Sequence, residues 1–101
     1  QGDKQNQGVA AMIKQIPLKA LPNQRVFFVL NERPYSVEIT TRLDRLYISI
    51  WIDDELVLAN RALLSFAPIE YGFQLVDTEA TEDPNWEQLG TRFLLLVNDE
   101  I

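Results

Sequence analysis

The sequence predicts a mainly β protein: a single small antiparallel β-barrel or sandwich, built as a meander of hairpins. Residues 46–53, LYISIWID, alternate strictly, with Leu46, Ile48, Ile50 and Ile52 on one face and Tyr47, Ser49, Trp51 and Asp53 on the other. That is the period-2 pattern of a strand. Two further runs, RVFFVL (25–30) and PYSVEIT (34–40), flank NER as the arms of a hairpin. Long stretches with the 3.6-residue apolar period of a surface helix are absent.

The elements follow in order. IKQIPL (13–18) is a short extended segment, and Pro17 marks a sheet edge or strand end. LPNQ (21–24) is a turn, in which Pro22 presets its torsion and Asn23 tolerates a left-handed conformation. In the second hairpin arm Tyr35, Val37 and Ile39 share one face, and Ser36, Glu38 and Thr40 the other. RLDR (42–45) makes the next reversal. DDE (53–55) is an acidic turn before the partner strand LVLANRAL. Neighbouring hairpins favour antiparallel pairing. LSFAPIEYG (64–72), with Pro68 and Gly72, fits an irregular packed connection. FQLVD is a further strand, TEATEDPNWEQLG an acidic loop, and TRFLLLVN the closing strand.

The acidic loop ends in one short helical turn near residues 84–89. Asp83 suits its cap, Pro84 its first helical position, and Gly90 the left-handed residue beyond it. A single turn is not stable alone. Burial of Trp86 and Leu89 is therefore expected to pin it, with Trp86 plugging one end of the fold. Gly90 is expected to take a left-handed conformation feeding strand 91–97. Arg92 is expected to face outward, free to meet an acidic group or a partner subunit.

Residues 13–101 are expected to form a single β-domain, since a chain of 101 residues, 47% of them hydrophobic, suits one modest core. Residues 1–12 are polar and aperiodic, and are expected to be a flexible N-terminal tail, native or added. The net charge of −6, with nine dispersed basic residues, argues against nucleic acid or an anionic membrane as partner. No apolar run approaches the roughly 20 residues of a membrane helix. With no histidine and no cysteine, disulfides, cysteine–histidine zinc sites and histidine-based acid–base catalysis are excluded.

Two carboxylate groups, Asp53, Asp54 and Glu55, then Asp77, Glu79, Glu82 and Asp83, have the residue type for glycoside hydrolysis or calcium binding. Solvated turns account for both. Ser36, Ser49 and Ser65 lie in no glycine-flanked elbow, and the four scattered glycines form no phosphate loop. No enzyme activity, cofactor or metal is called for. Trp51 and Tyr47 share the more polar face of their strand. They are either an exposed pair for a sugar or partner surface, or buried in a two-sided sheet, and burial is favoured.

Three stretches in this order, QIPL…LPNQRVFFVLNERPYSVEI, RLYISIWIDDELVLANRAL and DPNWEQLGTRFLLLV, resemble the small baseplate plug proteins of contractile-tailed phages of the cyanophage type. The resemblance runs from about Ile13 to Val97. It is most specific at PNQ (22–24) and at the ending from Asp83 to Phe93. The first hairpin departs from the family's Asn-Gly, having Asn31-Glu32, which a longer loop opening at Pro34 would relieve. Residues 63–72 match loosely. The resemblance implies a virion component of the tail baseplate, assembled in the host cytoplasm. It would organise or seal the tube end near the hub, with hub, tube or wedge proteins as partners. Pro22, Asn23, Trp51, Trp86, Gly90 and Arg92 are the candidate structural or interaction residues. The alternatives are a carbohydrate-binding β-module using Trp51, Tyr47 and Tyr71 and, weaker, a carboxylate hydrolase.

Overall fold

Eight strands form two four-stranded antiparallel sheets in the computed structural model, which describes residues 13–98. The tail expected over residues 1–12 lies outside the described residues. The strands are β1 (Ile13–Ile16), β2 (Gln24–Leu30), β3 (Arg33–Arg42), β4 (Arg45–Ile52), β5 (Glu55–Ala62), β6 (Pro68–Ile69), β7 (Phe73–Asp77) and β8 (Phe93–Asn98). Among the described residues helix is confined to two 3₁₀ turns, Glu70–Gly72 and Trp86–Gln88. The mainly β, antiparallel expectation holds. Among the described residues neither sheet closes on itself.

The expected meander is one sheet, ordered β2-β3-β4-β5. The other, β1-β8-β7-β6, joins the first strand to the last, with Ile13 opposite Asn98 and Ile16 opposite Leu95. Alternation puts Val37 and Ile39 of β3 beside Ile50 and Ile48 of β4, all fully buried. From the other sheet Leu75 of β7 and Phe93, Leu95 and Val97 of β8 join the same core. Phe28 and Tyr35 stack at 5.6 Å, and the ring of Phe73 from β7 lies 6.3 Å from each. Each large apolar side chain that is fully buried in this core contributes about 1.5–3 kcal/mol.

Three reversals in the meander share one solution. Asn31-Glu32, Leu43-Asp44 and Asp53-Asp54 each place two residues between paired strand ends, and all six have positive φ. This matches the type I′ hairpin turn, whose backbone twist follows that of the strands. No longer loop forms at Pro34, contrary to expectation: Leu30 pairs directly with Arg33, and Glu32 accepts φ 63°. Register with a buried face outweighs the local penalty, because a one-residue slip would turn every inward side chain to solvent. Leu43, with φ 50°, is 96% exposed.

Strand β5 is irregular. Its register against β4 shifts twice, leaving Val57 as an extra residue and setting Ala59 and Asn60 together opposite Ser49. Asn60 has φ 50°, and its N–H donates to Ser49 Oγ at 2.9 Å. The buried Ser49 hydroxyl thus serves a β-bulge.

The left-handed turns give a test. Left-handed backbone disfavours leucine by roughly 1–2 kcal/mol, while Asn-Gly adopts it readily. Leu43→Asn combined with Asp44→Gly should stabilise the fold by about 1 kcal/mol after the flexibility glycine adds to the unfolded chain. Urea unfolding should show a higher midpoint at unchanged slope.

Candidate functional site

Three places gather the residues singled out in the sequence: the corner before β8, the β1–β2 connection with Pro22 and Asn23, and the outward face of the β2-β3-β4-β5 sheet.

At the corner the helical turn is Trp86–Gln88, inside the expected 84–89 but starting two residues later than Pro84. Asn85, not Asp83, caps it: Asn85 Oδ1 accepts from Gln88 N at 3.1 Å, and its Nδ2 donates to Gln88 Oε1 at 2.9 Å. Pro84 lies before the cap and is buried. Leu89 is fully buried, while Trp86 is partly buried and packs against the core. Its ring covers the core edge rather than filling it.

Gly90 has φ 86°, as expected, but conformation is the lesser reason for glycine here. A Cβ at this position would stand 2.2 Å from the Leu18 carbonyl oxygen. The connection leaving β1 passes directly against this corner, and only glycine leaves room for it.

Arg92 does not face outward. Its side chain is 13% exposed and forks onto Asp77, whose side chain is fully buried at the end of β7. Arg92 Nε donates to Asp77 Oδ1 at 2.8 Å and Nη2 donates to Oδ2 at 2.9 Å. Nη2 also reaches Glu82 Oε1 at 3.1 Å, and the guanidinium lies 4.9 Å from the Phe93 ring centre. The N–H groups of Glu79 and Glu82 close on the two Asp77 oxygens at 2.9 and 3.0 Å. Residue 77 falls on the inward parity of β7, and a buried carboxylate requires a partner. Outward alternation from Phe93 would have freed Arg92; the need of Asp77 overrides it. Thr91 and Arg92 precede β8 instead of opening it.

The Arg92 guanidinium holds the Asp77 carboxyl well below the usual carboxylate range, against the penalty of burial and with help from the N–H groups of Glu79, Glu82 and Ala80. The second carboxylate group is therefore the frame of its own loop. In the first, Asp53 accepts from Arg33 Nε at 2.9 Å. Among the described residues no group of three or more side chains could hold a metal ion.

Pro22 and Asn23 latch the β1–β2 connection to the end of β3. Thr41 Oγ1 donates to the Pro22 carbonyl at 2.6 Å, and Thr41 N donates to Asn23 Oδ1 at 3.2 Å. Asn23 is not left-handed; its side chain caps a strand end instead. Gln24 folds back, accepting from Lys19 N at 2.9 Å and donating to Lys19 O at 2.7 Å.

On the outward face, register places Phe27, Ser36, Trp51 and Leu56 in one row across β2 to β5. The Arg25 guanidinium carbon lies 3.9 Å from the Trp51 ring centre and 5.3 Å from that of Phe27, and Nη2 donates to Ser36 Oγ at 3.0 Å. Arg42 caps Tyr47 in the same way at 4.8 Å. Trp51 and Tyr47 are half-covered on an outward face, so the two-sided burial favoured from the sequence is not found. Tyr71 has φ 68° and donates to the Val57 carbonyl at 3.4 Å. Arginines thus cover one face of Trp51 and of Tyr47. Arg25 was missed in the sequence. The shared parity of Arg25, Phe27 and Val29 was its available signal, and cross-strand register was needed to bring Trp51 to it.

These features define a small two-sheet β protein whose ordered charges hold its own loops and whose outward sheet face sets arginines beside aromatic and apolar side chains. The chain matches the family model described as the cyanophage baseplate Pam3 plug gp18 over residues 13–100, and it belongs to that family of phage baseplate plugs. No curated protein sequence matches it significantly. The family is a structural component of the viral tail and associates with other tail proteins.

Acid should reveal the corner pair. A carboxylate titrating below its unfolded value contributes stability that is complete above about pH 4 and lost as pH falls through the folded titration. Melting temperature should therefore drop below pH 4 in the wild type, and Asp77→Asn should start lower and show a flatter acid decline. Two further substitutions separate packing from conformation. Trp86→Ala should cost about 2–3 kcal/mol, below the roughly 3–5 of a fully buried ring. Gly90→Ala should cost at least as much, well beyond the ~1 kcal/mol of backbone conformation alone. Chemical denaturation of both variants beside wild type measures this order.

Proposed function

We propose that this protein is a non-catalytic plug at the centre of the baseplate, where it organises or seals the distal end of the tail tube beside the hub. The family match over residues 13–100 carries this reading. The corner supports it, because Arg92 and the acidic loop are engaged with each other instead of presenting a paired-carboxylate site. The two sheets would act as one rigid sandwich-like domain over residues 13–101, assembled into the virion from the host cytoplasm. Pro22, Asn23, Trp86, Gly90 and Arg92 then serve shape, and Trp51 serves the outward contact face. A chain of net charge −6 favours a dispersed free protomer until a tail partner is met.

The test is localisation in intact particles. Cryo-electron microscopy of virions should show density for this fold on the tail axis at the distal end of the tube, and virions lacking it should have an unsealed or unassembled baseplate. Finding the protein along the tail shaft, or absent from purified particles, would overturn the proposal.

A further inference from the structure

Among the described residues the two sheets have four edge strands, and three are blunted. Strand β6 has two residues and begins with Pro68; β1 has four residues and runs into Pro17; β5 carries two register shifts and the left-handed Asn60. Short strands, prolines and bulges are the usual means of keeping an edge from pairing with another chain. Strand β2 has none of them. Its seven residues pair with β3 without a shift, and on the outer side Phe27 is 72% and Val29 69% exposed.

Parity shows which main-chain groups face out. Pro34 turns its carbonyl to β4, accepting from Asp53 N at 2.8 Å, so its β2 partner Val29 sits in a pair without ladder bonds. The same alternation applies to Phe27 opposite Ser36 and Arg25 opposite Glu38. The N–H and C=O of Arg25, Phe27 and Val29 therefore point away from β3, and among the described residues no strand pairs there. Beside this edge a groove of about 620 Å³ runs between the β1–β2 connection and the start of β2, lined by Leu18, Lys19, Leu21, Arg25 and Phe27 among others. On a chain of net charge −6 this groove holds two cations and no carboxylate. Glu38, the cross-strand neighbour of Arg25, makes no ion pair with it among the described residues; that guanidinium rests on Trp51 and Ser36.

We infer that β2 is a docking edge that accepts an extended segment of another protein as a fifth strand, the segment alternating apolar and acidic side chains. Main-chain bonds to Arg25, Phe27 and Val29 would supply the pairing, and Lys19 and Arg25 would select the acidic residues. The baseplate reading supplies only the source of the partner. Binding is tested without any tail component, so failure here leaves that reading standing.

The probe is an end-blocked peptide of about eight residues alternating valine and glutamate, compared with one alternating valine and lysine. Hydrogen exchange followed by NMR reads each β2 amide. The glutamate peptide should slow exchange at Arg25, Phe27 and Val29 by about tenfold or more, leave the ladder amides of Val26 and Phe28 unchanged, and bind about tenfold better than the lysine peptide. Phe27→Pro removes an N–H the β2–β3 ladder does not use and should abolish binding while the protein stays folded. If it does not fold, Phe27→Glu, which sets a like charge against the peptide's carboxylates on the open edge, should do the same. No protection with either peptide at millimolar concentration overturns the inference, and equal binding of both overturns its acidic partner. Protection in the free protein overturns it too. Protection that rises with protein concentration assigns the edge to a second copy, and concentration-independent protection assigns it to this chain's own remaining residues.

Discussion

Two-residue reversals govern the β2-β3-β4-β5 sheet, because a turn of that length allows no freedom of register. Each holds both residues at positive φ without a glycine at any of the six positions. The local disadvantage is accepted three times because the alternative is worse. A longer loop would let the strands slip, and a slip of one residue would exchange Val37, Ile39, Ile48 and Ile50 for the polar face. The same parity decides what is left outside: the row Phe27, Ser36, Trp51 and Leu56, and the main-chain groups of β2 that meet no strand.

The second sheet is fastened differently. Its closing strand β8 is central, flanked by β1 and β7, and the turn into it carries the buried Asp77–Arg92 pair, the capped turn under Trp86, and the close approach of Gly90 to Leu18. Removing one partner of a buried ion pair leaves the other uncompensated. An acidic loop with so many carboxylates resembles a binding site in composition. In the fold it is a frame around one arginine.

The two parts of the molecule differ in character. The corner and the latch of Pro22 and Asn23 on Thr41 hold shape. The outward face of the meander carries arginines flattened over tryptophan and tyrosine, an arrangement common where one protein meets another. The regular edge of β2, beside edges that are all blunted, belongs to the same side of the molecule.

Much of this was legible in the residues. The strict alternation of 46–53, the hairpins, the left-handed Gly90 and the placing of Trp86 and Leu89 in one short turn follow from local chemistry, and the ordered stretches carried the family. The sequence by itself determined which side chains share a face, because the strand period is a property of the backbone. It did not determine which faces are covered, so Trp51 and Tyr47 were expected inside and lie half-covered under arginines. It also could not pair β1 with β8, bring Leu18 against Gly90, or draw Arg92 inward to Asp77. Those contacts join residues far apart in the chain. Burial and the need of a buried charge for its partner decided them, and both exist only once the two sheets have met.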